Sequence, residues 1–163
     1  MKSLLPVLLL AASAAHAAAP AAKVTTPATA DHPPSFFAPL EDIPGVLPWS
    51  LLSKATTVKA KGGRMVPKYT SEIAALDQTE VKVQGFMMPL QPGQKQKHFL
   101  LTVTSASCPF CLPAGPEGVV EINSKTPVKF TYAPMVMSGK MTVLKSDSMG
   151  LYYRINDASL VEP

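Results

Sequence analysis

Residues 80–90 read E-V-K-V-Q-G-F-M-M-P-L. Apolar and polar side chains alternate from Glu80 to Gln84, the period of two that marks a half-buried β-strand. Val81, Val83 and Phe86 fall on the inner face, and Gly85, set inside the run, marks a bulge or bend. Further stretches carry the strand signature: K-H-F-L-L-T-V-T-S from Lys97, G-V-V-E-I-N from Gly118, M-V-M-S-G-K-M-T-V-L-K from Met135 and G-L-Y-Y-R-I-N-D-A-S-L-V from Gly150. V-K-F-T-Y-A-P, from Val128, reads as a short extension. Five or six short strands with almost no helix predict a mainly β fold. The expected architecture is a small OB-like antiparallel β-barrel with a bend glycine in its first strand, an extended N-terminal arm and one short helix.

Upstream of the barrel strands, T-T-V-K-A-K-G-G-R-M-V-P-K-Y (56–69) alternates on both sides of Gly62-Gly63, which predicts a hairpin. S-E-I-A-A-L-D (71–77) predicts a short helix capped by Ser71, packed through Ile73 and Leu76 because one or two turns do not stand alone. Residues 18–48 are rich in Ala, Pro and Thr, and their prolines forbid regular helix or central strand. Phe36, Phe37, Leu40, Ile43, Val46, Leu47 and Trp49 carry too much apolar surface for a free tail, so this segment is expected to lie across the domain with Trp49 as its anchor.

At the N-terminus, Lys2 precedes an apolar run from Leu4 to Ala12, and Ala15-His16-Ala17 fits the small-x-small rule of a secretory cleavage site. The expected organisation is a signal peptide over 1–17, a Pro/Ala-rich leader and arm over 18–48, and a single β-rich domain over 49–163. Cleavage leaves 146 of the 163 residues and a formal charge of about +3 in place of +4. The expected address is the periplasm, an oxidising compartment, with no membrane span after cleavage. Export also puts nucleic acid out of reach. The positive charges are strung along the chain and favour solubility and an anionic surface.

The chemistry concentrates in T-S-A-S-C-P-F-C-L-P-A-G-P-E-G (104–118), which holds the chain's two cysteines, Cys108 and Cys111. Three readings stand. As thiolates the pair could bind a metal at zinc-knuckle spacing, with His98, at the head of the preceding strand, as third ligand. Met135, Met137 and Met141, with Met87-Met88 nearby, add a copper(I) option, set against ordinary core filling. Oxidised, the pair would be a disulfide that shapes the loop. The third reading is a thiol–disulfide oxidoreductase, which needs a helix starting at Cys108 to stabilise its thiolate. Pro113, Gly115, Pro116 and Gly118 stand in the path of that helix and would break it. No hydrolase triad is proposed, because His98 has no acid partner recognisable by spacing.

Taken together, L-P-W-S-L-L, V-K-V-Q-G-F-M-M-P-L, H-F-L-L-T, C-P-F-C and G-L-Y-Y-R-I-N-D-A resemble an exported bacterial group, domain-of-unknown-function family 3299. The likeness runs from Phe37 to Val161, and G-F-M-M-P-L and C-P-F-C are its most specific pieces. It implies a periplasmic location, a small β-rich domain and no established activity or catalytic residues. It also points toward metal handling, zinc above all. The expected function is therefore a periplasmic binding or accessory protein in envelope metal homeostasis, working with an envelope transport or metal-handling component. The alternatives are a non-catalytic interaction module and the oxidoreductase.

Overall fold

The computed structural model describes residues 40–105 and 114–161. The expected signal peptide (1–17) and residues 18–39 of the expected leader and arm, with His32, Phe36 and Phe37, lie outside the described residues. In chain order the elements are α1 (Trp49–Leu52), β1 (Thr56–Lys59), β2 (Met65–Lys68), α2 (Ser71–Ala74), β3 (Glu80–Pro89), β4 (Lys95–Thr102), a 3-10 turn (Pro116–Gly118), β5 (Val119–Lys129), β6 (Met135–Val143) and β7 (Tyr153–Val161). β1 and β2 form a separate two-stranded sheet, and the other five strands close into a barrel in the order β3-β4-β5-β7-β6. No helix among the described residues is long and apolar enough to cross a membrane.

Gly85 is where the barrel closes. Residues 80–85 of β3 pair with β6, and residues 86–89 pair with β4. One strand thus serves two neighbours by bending in its middle. A Cβ at Gly85 would stand 2.7 Å from Leu101 Cγ and 2.9 Å from the Thr102 carbonyl oxygen, so the bend brings β4 closer than any side chain permits. Val83 and Phe86 are buried as expected, Val83 within the core cluster and Phe86 outside it, and Val81 is half-buried.

Four of the five ladders are antiparallel and the fifth, β5 with β7, is parallel. Strands that reverse direction at each connector cannot close a ring of five without one parallel pair. The parallel pair falls where β7 inserts between β5 and β6. β7 bulges there: Ser138 pairs with Ser159 but Lys140 with Asn156, and Asp157 takes a positive φ of 51°. Asp is one of the few side chains that accept this conformation. Gly139 faces the bulge, and a Cβ on it would lie 2.7 Å from the Asn156 carbonyl oxygen and 2.9 Å from Ala158 Cα.

The core is apolar and continuous. Val83, Phe99, Leu101, Val120, Ile122, Met137, Met141 and Ile155 are fully buried, each worth about 1.5–3 kcal/mol relative to exposure. The M-x-M-x3-M stretch is part of this core, with Met135 also buried, so these methionines act as adaptable filler between strands.

The elements before β3 cover one end of the barrel. Two single-turn helices are present where one was expected. α2 starts at Ser71, but its cap is Thr70, whose hydroxyl accepts from Ile73 N at 3.3 Å; the preceding residue is the one with extended backbone that a cap requires. Leu47 N donates to the Lys82 carbonyl, and Trp49 Nε1 to the Gln84 carbonyl, both at 2.7 Å. The residues leading into α1 are thereby strapped along β3. In the hairpin, Gly62 and Gly63 both take positive φ, 87° and 83°, as its tight turn demands. A tyrosine cluster moors its base. Tyr69 OH donates to the Tyr152 carbonyl at 2.9 Å, the Thr57 and Tyr152 hydroxyls are bonded to each other, and Tyr153 OH donates to the Leu52 carbonyl at 2.7 Å.

Two outcomes are expected. Gly139→Ala should cost about 1–3 kcal/mol, as overpacking against backbone does, read as a lower urea midpoint at unchanged m-value. Burial, first, and neighbouring tyrosines, second, raise the hydroxyls of Tyr69 and Tyr153 above the ordinary tyrosine value of 10.0. A folded-state value above the unfolded one means that the folded chain holds these protons more tightly. Their stabilisation is complete below about pH 10 and is lost as pH rises beyond it. Urea midpoints should therefore begin to fall above about pH 10, less steeply in Tyr69→Phe.

Candidate functional site

Cys108 and Cys111 lie outside the described residues; their frame does not. The connector leaves β4 at Thr102 and enters β5 at Val119, two residues that face each other across the ladder. Val103 N donates to the Gly118 carbonyl at 3.1 Å, one rung beyond the strands. Thr102 Oγ1 donates to the Thr104 carbonyl at 2.7 Å and lies 3.3 Å from the Phe86 carbonyl, tying the departing chain back to β3. On the return side Gly115 is extended, and Pro116–Gly118 makes one 3-10 turn closed by Gly118 N to the Gly115 carbonyl at 2.8 Å. A Cβ at Gly118 would meet Ala114 Cβ at 2.8 Å and Val103 Cγ1 at 3.0 Å, so glycine lets the two ends of the connector touch.

This bears on the helix that a reactive thiol pair would need. Residues 114–120 contain one 3-10 turn and the start of a strand, so no α-helix runs from 109 through 120. The connector joins two adjacent antiparallel strands, unlike the strand–helix–parallel strand crossover that frames a thioredoxin-type pair.

His98 sits on β4 with its ring half-exposed, 44 % of the side chain accessible, and directs Nε2 at Glu121 Oε1, 2.7 Å away. The other Glu121 oxygen accepts from Arg154 Nε, and Arg154 Nη2 reaches Asp147 Oδ1 at 3.4 Å. Asp147 Oδ2 accepts from the backbone N–H of Met149 at 2.8 Å and of Leu151 at 3.3 Å. A line of hydrogen-bonded ionisable groups therefore crosses β4, β5 and β7 and ends in the β6–β7 connector. A neutral stripe runs beside it: Asn123 donates to Asn156, which donates to Thr142. Buried carboxylates persist when paired in this way.

Spacing along the chain showed no acid partner for His98. Glu121 is 23 residues away and becomes its neighbour because Leu100 pairs with Glu121, one outward position from His98. The available signal was a lone Glu in V-V-E-I-N and a lone Arg in Y-Y-R-I-N, both outward in apolar strands. With Nε2 engaged, His98 offers a metal Nδ1, or Nε2 once the pair with Glu121 opens. It stands four positions before Thr102, about 13 Å of strand at about 3.3 Å per residue. Among the described residues no three His, Cys, Asp or Glu side chains are grouped as for a metal ion.

The G-F-M-M-P-L stretch of β3 lines a pocket of about 70 Å³. Phe86, Met87 and Pro89 line it from β3, Phe130 and Tyr132 from the β5–β6 connector, and Ser105 from the connector that carries the cysteines. Phe130 and Tyr132 stand edge to face with ring centres 4.9 Å apart. The pocket is thus apolar, with a polar group where the cysteine connector begins.

Glu121→Ala removes the acceptor shared by His98 and Arg154. The expected loss is about 1.5–3 kcal/mol, the range for hydrogen bonds to charged groups, measured by urea unfolding. Glu121→Gln should retain part of it.

No curated protein matches the chain. Among solved structures, the crystal structure of a DUF3299 family protein from Pseudomonas aeruginosa PAO1 aligns at a TM-score of 0.47 and 22 % identity, over 60 % of this chain and 68 % of that one. The family model described as "Protein of unknown function (DUF3299)" matches residues 49–160, and the chain belongs to the DUF3299 family.

Proposed function

We propose that the protein is an exported binding and accessory protein of the bacterial envelope, with the C-P-F-C connector as its working surface. Cys108 and Cys111 hold a metal ion as thiolates, zinc first and copper(I) second. The observation that supports this reading best is the anchorage of the connector. Its base is clamped by Val103 and Gly118 and tied to β3 through Thr102, so a short Pro- and Gly-rich segment is presented from a closed barrel. Binding groups on a connector held by a rigid scaffold are a common functional arrangement. Two thiolates two residues apart can chelate one ion. The remaining positions fall to His98, once its ring leaves Glu121, or to a ligand from an envelope transport component that receives the metal. Export through the N-terminal segment 1–17 places this chemistry in the periplasm.

A second reading takes the pair as oxidised, a disulfide that shapes a protein-binding loop. The apolar pocket at the start of the connector favours it, since Phe86, Phe130 and Tyr132 would offer a partner a hydrophobic anchor point. The oxidoreductase ranks last, for want of a helix continuing through 114–120.

Metal titration of the reduced mature protein against a chromophoric chelator separates these readings. One zinc per chain is expected, with binding lost in Cys108→Ser/Cys111→Ser and after oxidation. Affinity should fall as pH drops from 7.5 to 5, because each bound thiol must first release its proton. Unchanged stoichiometry in the double variant would refute the metal site. A wild-type chain that binds no metal and closes a stable disulfide would install the interaction module in its place.

A further inference from the structure

The β1–β2 hairpin holds the chain's entire positive excess. Residues 54–68 contain Lys54, Lys59, Lys61, Arg64 and Lys68 and no acid; the flanking acids are Asp42 and Glu72. The whole chain carries +4, so with five cations here the other residues sum to −1. Lys54 is paired with Glu72 at 2.9 Å. Among the described residues no carboxylate pairs with Lys59, Lys61, Arg64 or Lys68.

Geometry turns this sequence bias into a surface. The hairpin forms its own sheet outside the barrel. It is moored at its base by Thr57 to Tyr152, while Lys61 to Met65 at its far end are exposed. Apolar side chains stand among the cations: Met65, opposite Lys59 in the ladder, is 62 % exposed and Val58 is 37 % exposed. Gly62 and Gly63 make the tip blunt, and a Cβ at Gly62 would meet nothing within 4 Å.

We propose that this hairpin docks the protein on a membrane surface rich in anionic phospholipid. Lys59, Lys61, Arg64 and Lys68 engage headgroup phosphates, and Met65, on the same face as Lys59, enters the interface beside them. Shape selects this occupant over an acidic protein. A stable protein interface takes about 20–30 residues on each side, more than this ribbon offers between Thr56 and Lys68. A fluid bilayer supplies many phosphates to any convex tip and accommodates lysine stems and a methionine side by side. Clustered Lys and Arg are what an anionic leaflet attracts, within the reach that salt allows. The inference stands apart from the thiol chemistry and holds whether or not Cys108 and Cys111 bind metal.

Co-sedimentation of the mature chain with vesicles tests it. Vesicles of phosphatidylglycerol and phosphatidylethanolamine should bind the protein at least roughly tenfold more tightly than phosphatidylcholine alone, with most of that preference lost at high salt. Lys59→Glu/Lys61→Glu/Arg64→Glu/Lys68→Glu should abolish binding while leaving the urea midpoint of the barrel in place. If that variant fails to fold, Lys61→Ala/Arg64→Ala, confined to the exposed tip, should still weaken binding several-fold. Met65→Ser should weaken it without altering the salt dependence. Equal binding to neutral vesicles, or undiminished binding by the charge variants, would overturn the proposal. So would hairpin-dependent capture of an acidic peptide by a chain that ignores vesicles.

Discussion

At Gly85 strand β3 releases β6 and takes up β4, and the rest of the molecule follows from that exchange. A straight strand in this position would pair along one line and leave an open sheet with two edges. The bend closes the ring, and closure puts Val83, Phe99, Leu101, Ile122 and Ile155 into a single interior. It also sets β4 so near β3 that Thr102 can bond the Phe86 carbonyl. The connector bearing the cysteines starts from that contact. The absence of a side chain at one residue thus governs both the core and the frame of the candidate site.

Closure has a second consequence. An odd ring of strands that alternate in direction must contain one parallel ladder, and the chain places it between β5 and β7. Those strands begin at the same end of the barrel, so the β4–β5 and β6–β7 connectors open side by side. The same end carries the tyrosine cluster and the base of the basic hairpin. Glu121 and Arg154 become lateral neighbours through that parallel pairing, and Asp147 reaches them from the connector. The line of ionisable groups across the outer face is a product of topology: its members are far apart in the chain and share no motif.

The two surfaces with chemical character differ in kind. The cysteine connector has a fixed base, a turn built from Gly and Pro, and an apolar pocket where it starts. The hairpin is an appendage whose cations Lys59, Lys61, Arg64 and Lys68 meet no carboxylate among the described residues. One suits capture of a small hard-won ligand or a side chain, the other attraction to an extended charged surface. The function proposed above would use both, because residence at a membrane raises the local concentration of a membrane-bound partner.

Much of the fold was legible in the chain because period-two alternation and turn glycines report local geometry. The strand at 80–90, its bend at Gly85, the Gly62-Gly63 hairpin and the failure of helix beyond Pro113 all depend on residues within a few positions of one another. The second short helix and the shift of the cap from Ser71 to Thr70 escaped because single turns are selected by packing more than by propensity. The acid partner of His98 escaped because strand register decides it across 23 residues. What the sequence by itself determined, then, is the set of strands, the turns and the residue types on offer at residues 104–118 and 54–68. Only the tertiary structure decided which strands adjoin, that one ladder is parallel, and which charges find partners. Those are contests between distant segments for the same neighbours, and only closure of the barrel settles them.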